Sequence, residues 1–224
     1  MKLNTNTQNI LKNFSEINTN ILIKPGNELS TISTMRNIFA KATIAEAFAS
    51  EFGIYDLNEF LAVVSSLNKP ELNLQDKFMT ISAEGSKSKV KYFYSDPSVI
   101  VSPTKEVNMP EADVSFSLSE ANLTQLQKMA AILKTPDLAL EGTKGGDVVL
   151  KVCDKKNDTS NNFDIVVGEN ATADYTFYFK VENMKMISGD YDVSVSSKSI
   201  SHFKNTKLPI EYWIALEPDS TITK

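Results

Sequence analysis

The side chains that most often perform catalysis or bind transition metals are scarce in this chain. The 224 residues contain one histidine, His202, and one cysteine, Cys153. A structural zinc site takes four ligands drawn mostly from histidine and cysteine, so this composition excludes one. A Ser-His-Asp or Cys-His mechanism would depend on His202, near which no nucleophile-elbow pattern lies. We expect His202 to be a surface or strand-end residue and Cys153 to be a partly buried one.

Phosphate-binding loops and carboxylate pairs give no stronger signal. The sequence has neither G-x-x-x-x-G-K-[ST] nor G-x-G-x-x-G, and it has only 8 glycines. The segment 154–162 has the Asp and Asn content of a calcium loop, but Lys156 takes a ligand position and the central glycine is missing. Glu211, Glu217 and Asp219 surround the last strand without an acid–base pairing. The sequence therefore predicts no enzyme, no metal site and no cofactor.

The overall charge is acidic, which argues against binding nucleic acid through bulk charge. Lys and Arg number 23 against 28 Asp and Glu, a formal net charge of −5. An acidic total still permits a local basic surface, so the position of each lysine matters more than the sum. Some aromatic residues in strand-like runs could stack on bases, although such residues more often belong to a core or an interface. They are Phe93, Tyr94, Tyr178 and Trp213.

Apolar runs are short throughout the chain. None approaches the roughly 20 residues that a membrane-spanning helix needs. The N-terminus enters a polar stretch instead of the apolar region of a secretory signal. We expect the protein to stay in the compartment where it is made, with no membrane partner.

Apolar periodicity predicts a repeated order of elements. Helices are predicted over 7–18, after the N-cap candidate Asp56, over 120–134 and, as a short fourth helix, over 182–187. Each helix follows a strand, and alternating strands come after it, in modules that begin about 50 to 60 residues apart. The pattern predicts an α+β fold of two similar domains, each with two helices packed on antiparallel sheets. The alternative is a generic α+β fold whose strands happen to be evenly spaced.

A proline-containing segment divides the two halves. Pro97, Pro103 and Pro110 fall in an otherwise extended stretch, and proline favours extended conformations in the residue before it. We predict a first domain over 1–102, a connector over 103–112 and a second domain over 113–224.

Lysines lie on the outward sides of two predicted helices. At about 100° per residue, Lys12 and Lys128 fall opposite the apolar faces of the first and third helices. Exposed lysines keep many helices soluble, but an acidic protein that reserves lysines for helix faces could present those faces to phosphate. The second helix counts against a uniformly basic surface, because its outward positions include Glu59, Ala62 and Ser66.

Specific strings in the sequence carry a resemblance to a known family. They are MKLNTNTQNILKNFSEINTNILIKPGN at the start, IYDLNEFL (54–61), DPSVIVSP (96–103), NMKMISGDY (183–191) and ALEPDST (215–221). The chain resembles the sliding clamps of T-even-like bacteriophages, the processivity factors of the phage replicative polymerase. The strings occur in the right order from Met1 to about Thr221, whereas 28–50 and 141–175 match little.

The resemblance implies the DNA clamp fold, with helices inside, antiparallel sheets outside and three subunits closing a six-domain ring around double-stranded DNA. A ring that slides needs few, sequence-independent phosphate contacts. The residues that we expect to face DNA are Lys2, Lys12, Lys128, Lys134 and Lys185. Ala131 stands where relatives carry another basic residue, which weakens the contribution expected from the third helix.

The resemblance also implies partners in the cytoplasm of an infected bacterium. These are the phage polymerase, an ATP-driven clamp loader and a late-transcription apparatus that the clamp coactivates. A partner peptide is expected on an apolar pocket near the connector, for which the candidates are Val99, Val101, Pro103, Ala215, Leu216 and Pro218. The alternative is that these are ordinary interdomain packing residues. The other functional interpretation is a phage structural protein, of the virion or tail, with two β-rich domains.

Overall fold

The computed structural model describes residues 1–223 and divides the chain into two compact units. The first unit spans Met1–Glu106 and the second begins at Val107. The division falls inside the proline-containing segment that the sequence indicates as a connector. None of the helices within residues 1–223 is long and apolar enough to cross a bilayer.

The first unit packs two helices with antiparallel strands. Strand β1 pairs with β4, β2 with β3, and β5, β6 and β7 form a three-stranded sheet. Helix α1 packs on α2, β2 and β3, and it buries Leu11 and Phe14. The elements are α1 (Thr5–Ile17), β1 (Ile21–Ile23), β2 (Gly26–Ile32), β3 (Ile38–Phe48), β4 (Phe52–Ile54), α2 (Leu57–Ser66), β5 (Pro70–Leu74), β6 (Phe78–Ala83) and β7 (Lys89–Phe93).

The second unit packs one α-helix with two antiparallel sheets. The strand order is β11-β10-β9-β12-β16 in one sheet, and β15, β14, β13 and β8 are neighbours in that order in the other. Helix α3 packs against β10 and β11. The elements are β8 (Val114–Leu118), α3 (Glu120–Leu133), β9 (Asp137–Gly142), β10 (Val148–Cys153), β11 (Phe163–Gly168), β12 (Asp174–Lys180), β13 (Tyr191–Ser196), β14 (Ile200–Asn205), β15 (Ile210–Ala215) and β16 (Thr221–Thr223).

Polar residues with side-chain oxygens fix where the helices begin. Asn4 caps α1, and Ser119 caps α3 by accepting from the Asn122 N–H at 3.2 Å. Asp56, the N-cap predicted for α2, accepts from the N–H groups of Asn58 and Glu59, each at 3.0 Å. These bonds satisfy amides that have no partner inside the helix, so each cap stabilises the start of its helix by about 1 kcal/mol.

The segment predicted as a fourth helix differs from expectation. It forms a single 3₁₀ turn, Val181–Asn183, without a side-chain cap, and continues as irregular chain. Met184 and Met186 are both buried while Lys185 between them is exposed. Burial of every second residue is the pattern of an extended segment. The burial of these two methionines therefore favours an extended chain over a helix here.

Candidate nucleic-acid interface

The outward face of α1 carries one cation. Lys12 is exposed, on the side opposite the buried Ile10 and Phe14, and it makes no ion pair within residues 1–223. The carboxylate of Glu46 on β3 holds the start of this helix, since it accepts from the backbone N–H of Asn4 and from Thr7 Oγ1. An acidic side chain at this end of a helix also complements the helix dipole. The helix is thereby fixed on the sheet with Lys12 directed to solvent.

The outward face of α2 carries no cation. Its exposed residues are Asn58, Glu59, Ala62, Ser65 and Ser66. The two helices of the first unit therefore present a polar surface with Lys12 as the cation on it, as the sequence indicates.

The outward face of α3 centres on Lys128. This side chain is exposed and lies opposite the buried Leu123, Leu126 and Ala130. Lys134 ends the helix in the left-handed conformation, with φ 56°, and is also exposed. Neither lysine makes an ion pair in the part of the chain that the structure describes.

Lys185 follows the 3₁₀ turn beside α3. The flanking methionines, Met184 and Met186, are buried, so Lys185 is directed outward. Gln127 of α3 donates from Nε2 to the Met184 carbonyl at 3.1 Å, which fastens this segment to the helix. The second unit thus carries three of the predicted lysines on α3 and the segment bonded to it.

Lys2 stands apart from the other predicted lysines. Its Nζ lies 2.8 Å from Glu84 and 3.3 Å from Glu71. The hydrogen bond to Glu84, with a further one to Glu71, raises the pKa of Lys2. Because two carboxylates already neutralise this ammonium, we expect less attraction for phosphate here than at Lys12.

One exposed cation near α3 was not expected from the sequence. Lys207, in the turn between β14 and β15, lines an open groove with Lys128, Thr124 and Gln125. Its Nζ is 2.9 Å from Asp190. Helical periodicity carries no information about a residue in a strand–strand turn, so only the fold reveals that Lys207 and Lys128 share a groove.

Asp190 holds the start of α3 in place. It accepts from the Glu120 backbone N–H at 2.8 Å and pairs with Lys207. The backbone hydrogen bond, followed by the one from Lys207, lowers the pKa of Asp190 below its ordinary value of 3.8. At a pH above 3.8 the carboxylate therefore stabilises the fold. This stabilisation is lost as the pH falls through the lower pKa that Asp190 has in the folded protein.

We expect Asp190→Asn to reduce the pH dependence of stability in acid. Between about pH 5 and pH 2 the free energy of unfolding of the variant should fall less steeply than that of the wild type, because one depressed carboxyl pKa is gone. Urea unfolding at stepped pH measures this slope. Parallel slopes for the two proteins would show that Asp190 does not couple protonation to folding.

The residues proposed for a partner-peptide pocket fall into two sets, one in each unit. In the first unit Val99 is 54% exposed at the end of a 3₁₀ turn, Pro97–Val99, and Pro103 is half-buried. The backbone of Val101 bonds to Asn18 Nδ2 and Asn20 Oδ1, at 3.2 and 3.0 Å, so this segment is held against the α1–β1 loop.

The set in the second unit follows β15. Ala215 is half-buried, Leu216 is only 6% exposed and Pro218 is exposed. Lys155 fastens the next residues through Asp219, at 2.7 Å, and Glu217, at 3.5 Å. The side chain of Leu216 is therefore covered, while Pro218 is accessible.

The residues that could have performed catalysis have other partners. His202 lies within β14, its Nε2 is 2.8 Å from Glu211 Oε2, and its ring stacks on Trp213 with centroids 4.5 Å apart. Burial raises the pKa of the half-buried Cys153, which favours the unreactive thiol. Within residues 1–223, no group of three or more His, Cys, Asp or Glu side chains is arranged to hold a metal ion.

Comparison with known proteins identifies both units. The model of a family described as DNA polymerase processivity factor matches residues 4–102, and a model described as gp45 sliding clamp, C terminal, matches residues 115–218. The sliding clamp of Vibrio phage KVP40 is 32% identical over 222 residues, covering 97% of this chain and 99% of the relative. The sliding clamp of Enterobacteria phage T4 is 28% identical over 228 residues, covering 99% of each.

Solved structures confirm the fold. The structure described as the C-terminal region of FEN-1 bound to A. fulgidus PCNA matches with a TM-score of 0.68 at 12% identity, covering 96% of each chain. At this identity the likeness concerns the fold alone, and it confirms the α+β DNA clamp architecture predicted from the sequence. The comparisons give no support to the alternative of a virion or tail protein.

Proposed function

This chain belongs to the phage sliding-clamp family of DNA polymerase processivity factors, and we propose that it closes into a homotrimeric ring around double-stranded DNA. The ring tethers the replicative polymerase and does not itself catalyse a reaction. The main support for DNA binding is the position of three lysines, Lys12, Lys128 and Lys134. Each is exposed on or at the end of a helix and free of ion pairs within residues 1–223, in a chain of net charge −5.

The arrangement of charge suits sliding. A few separated ammonium groups attract phosphate from any sequence, because phosphate contacts carry no base information. The acidic remainder repels DNA from other surfaces and so disfavours binding outside a ring. Lys185 adds a further cation, and Lys207 one that Asp190 partly neutralises.

The dimensions require more than one copy of the chain, and the resemblance to the T-even-like phage clamps implies three. B-DNA is about 20 Å across, and a unit of about 110 residues has a radius of gyration of about 13 Å. Two such units cannot surround a duplex, whereas six units from three chains can, and cyclic symmetry closes the ring.

A basic and apolar strand edge in the first unit supports ring closure. Strand β7 is an edge strand and exposes Val90 and Phe93, which are 38% and 63% accessible. Lys89 and Lys91 on the same strand are exposed, and Lys91 Nζ lies 4.8 Å from the Phe93 ring centre. An uncovered edge of this kind is ready to pair with another chain.

An acidic and apolar strand edge in the second unit is its complement. Strand β11 is an edge strand that exposes Asp164 and Val166, the latter 50% accessible. Ile132, 59% exposed, lies on α3, which packs against β11. Pairing β7 of one copy with β11 of the next would cover apolar side chains and bring lysines to Asp164. Repetition of this head-to-tail contact makes a ring when the rotation between copies closes.

We expect the protein to be a trimer that Val166→Lys disrupts. Light scattering over a concentration series should approach three times 24.8 kDa for the wild type. The variant places a cation opposite Lys89 and Lys91 and should remain a monomer over the same range. Thr43→Lys, at an exposed position of β3, is the matched control and should remain a trimer. A wild type that stays monomeric, or forms an even-numbered assembly, would contradict the ring.

The partners follow from the same proposal. An ATP-driven loader must open a closed ring around DNA, and the polymerase must bind an accessible surface of it, all in the cytoplasm of an infected bacterium. Val99 and Pro218 are the exposed members of the proposed partner-peptide pocket. The A. fulgidus PCNA structure, which carries a C-terminal region of FEN-1, is an analogy for such peptide binding. Coactivation of late transcription would use the same ring on DNA.

A further inference from the structure

The most exposed large apolar side chain in residues 1–223 has no role in the proposed ring. Met35 is 81% exposed, more than any of the apolar residues on the β7 and β11 edges. It lies in the β2–β3 tip, residues 33–37, beside Arg36, the only arginine in the chain. The tip falls within the stretch 28–50, outside the strings that carry the resemblance to the phage clamps.

The β2–β3 tip is held rigidly by its own hydrogen bonds. Ser33 Oγ accepts from the N–H groups of Asn37 and Ile38, each at 3.1 Å. The Arg36 N–H donates to the Ser33 carbonyl at 2.8 Å, with Arg36 at φ 57°. A preformed loop loses little conformational entropy on binding, so a partner that contacts Met35 and Arg36 needs little free energy to order them.

The chemistry of the tip specifies what it would bind. Arg36 makes no ion pair in the described part of the chain, and a guanidinium binds a carboxylate through two parallel hydrogen bonds. The flexible thioether of Met35 adapts to an apolar neighbour. A nucleic-acid backbone would satisfy Arg36 but leave Met35 without an apolar contact, whereas an acidic protein segment satisfies both.

We propose that the β2–β3 tip docks an acidic segment of a replication partner, with Arg36 binding a carboxylate and Met35 packing on an adjacent apolar side chain. Arginine and methionine are enriched in protein interfaces, and arginine is enriched among the residues that dominate their binding energy. The inference rests on the proposed function, which supplies the two partners to be tested, the phage polymerase and the clamp loader.

The test measures the affinity of each purified partner for the full-length clamp on primed circular DNA. Arg36→Glu should weaken polymerase or loader binding by about tenfold or more, and Met35→Ser by a smaller factor. Arg36→Lys should recover only part of the loss, because an ammonium lacks the paired donors of a guanidinium. Thr34→Ala, at an exposed position of the same tip, is the matched control and should bind like the wild type.

Two results would overturn the inference. One is an unchanged affinity, within about twofold, for both partners in Arg36→Glu and Met35→Ser variants that unfold at the wild-type temperature. The other is a faster loss of these variants than of the wild type from circular DNA after loading and removal of both partners, which would make the tip a DNA contact. A wild-type protein that fails to stay on circular DNA would count against the proposed function and not against the tip.

Discussion

After loading onto a closed circular duplex, the protein is expected to stay bound at salt that abolishes contact-based binding, and to leave when one cut makes the DNA linear. A handful of lysine–phosphate contacts loses orders of magnitude in affinity between about 50 and 200 mM salt, because each contact releases counterions. A ring that encloses the duplex has no such dependence while its interfaces hold. Gel filtration of the loaded clamp on closed circular DNA, before and after restriction at one site, measures the difference.

The control for this experiment is the integrity of the ring. The β7 and β11 edges carry opposite charges, so salt that removes phosphate contacts could also weaken the interface between copies. Light scattering at each salt concentration reports whether the trimer persists. If the trimer survives and retention is equal on circular and linear DNA, the protein grips DNA instead of encircling it, and the ring must be abandoned.

Three of the four helices that the sequence predicts are present in the fold, and local chemistry explains why. The α3 region combines an apolar stripe of Leu123, Leu126 and Ala130 with the capping residue Ser119, so local chemistry and burial agree. Asp56 likewise marks the start of α2, directly before an apolar face that begins at Leu57. Where propensity, pattern and cap indicate the same structure, little depends on tertiary context.

Some strands show no apolar alternation in the sequence, because polar residues occupy their inward positions. In β14, Ser201 and Asn205 are buried, Ser201 Oγ donating to the Ile214 carbonyl at 2.8 Å and Asn205 Oδ1 accepting from the Leu208 N–H at 2.8 Å. Strand β2, with Glu28 and Ser30 among its residues, and the short β16 are equally polar, and they are defined by pairing with β3 and β12. Partners distant in the sequence supply these bonds, so a local pattern does not reveal them.

The sequence predicts only part of the candidate site. Helical periodicity places Lys12 and Lys128 on outward faces, and both are exposed. Helical periodicity does not predict the carboxylates that neutralise Lys2, and it does not predict the groove that Lys207 shares with Lys128. Ion pairs between residues far apart in sequence decide which lysines keep an unneutralised charge, and only the fold defines those pairs.

The double variant Lys12→Glu, Lys128→Glu is expected to shorten primer extension by the polymerase several-fold while the protein stays folded and trimeric. Both side chains are exposed, and exposed substitutions usually change stability by no more than about 0.5 kcal/mol. Each replacement turns a cation into an anion in every chain of the ring. The inner surface of the ring would then repel the DNA phosphates that pass through it. Loading onto DNA and retention on it should therefore both decrease.

The double variant needs a control that changes net charge equally without touching the helices. Lys24→Glu, Lys198→Glu serves, because both lysines are exposed and lie before β2 and in the β13–β14 turn. If repulsion acts inside the ring, this control keeps the wild-type extension length, since a change of overall charge alone is screened beyond about 10 Å at 0.1 M salt. Equal shortening by both variants would assign the effect to net charge. Unchanged extension by the helix variant would remove Lys12 and Lys128 from the DNA-facing surface.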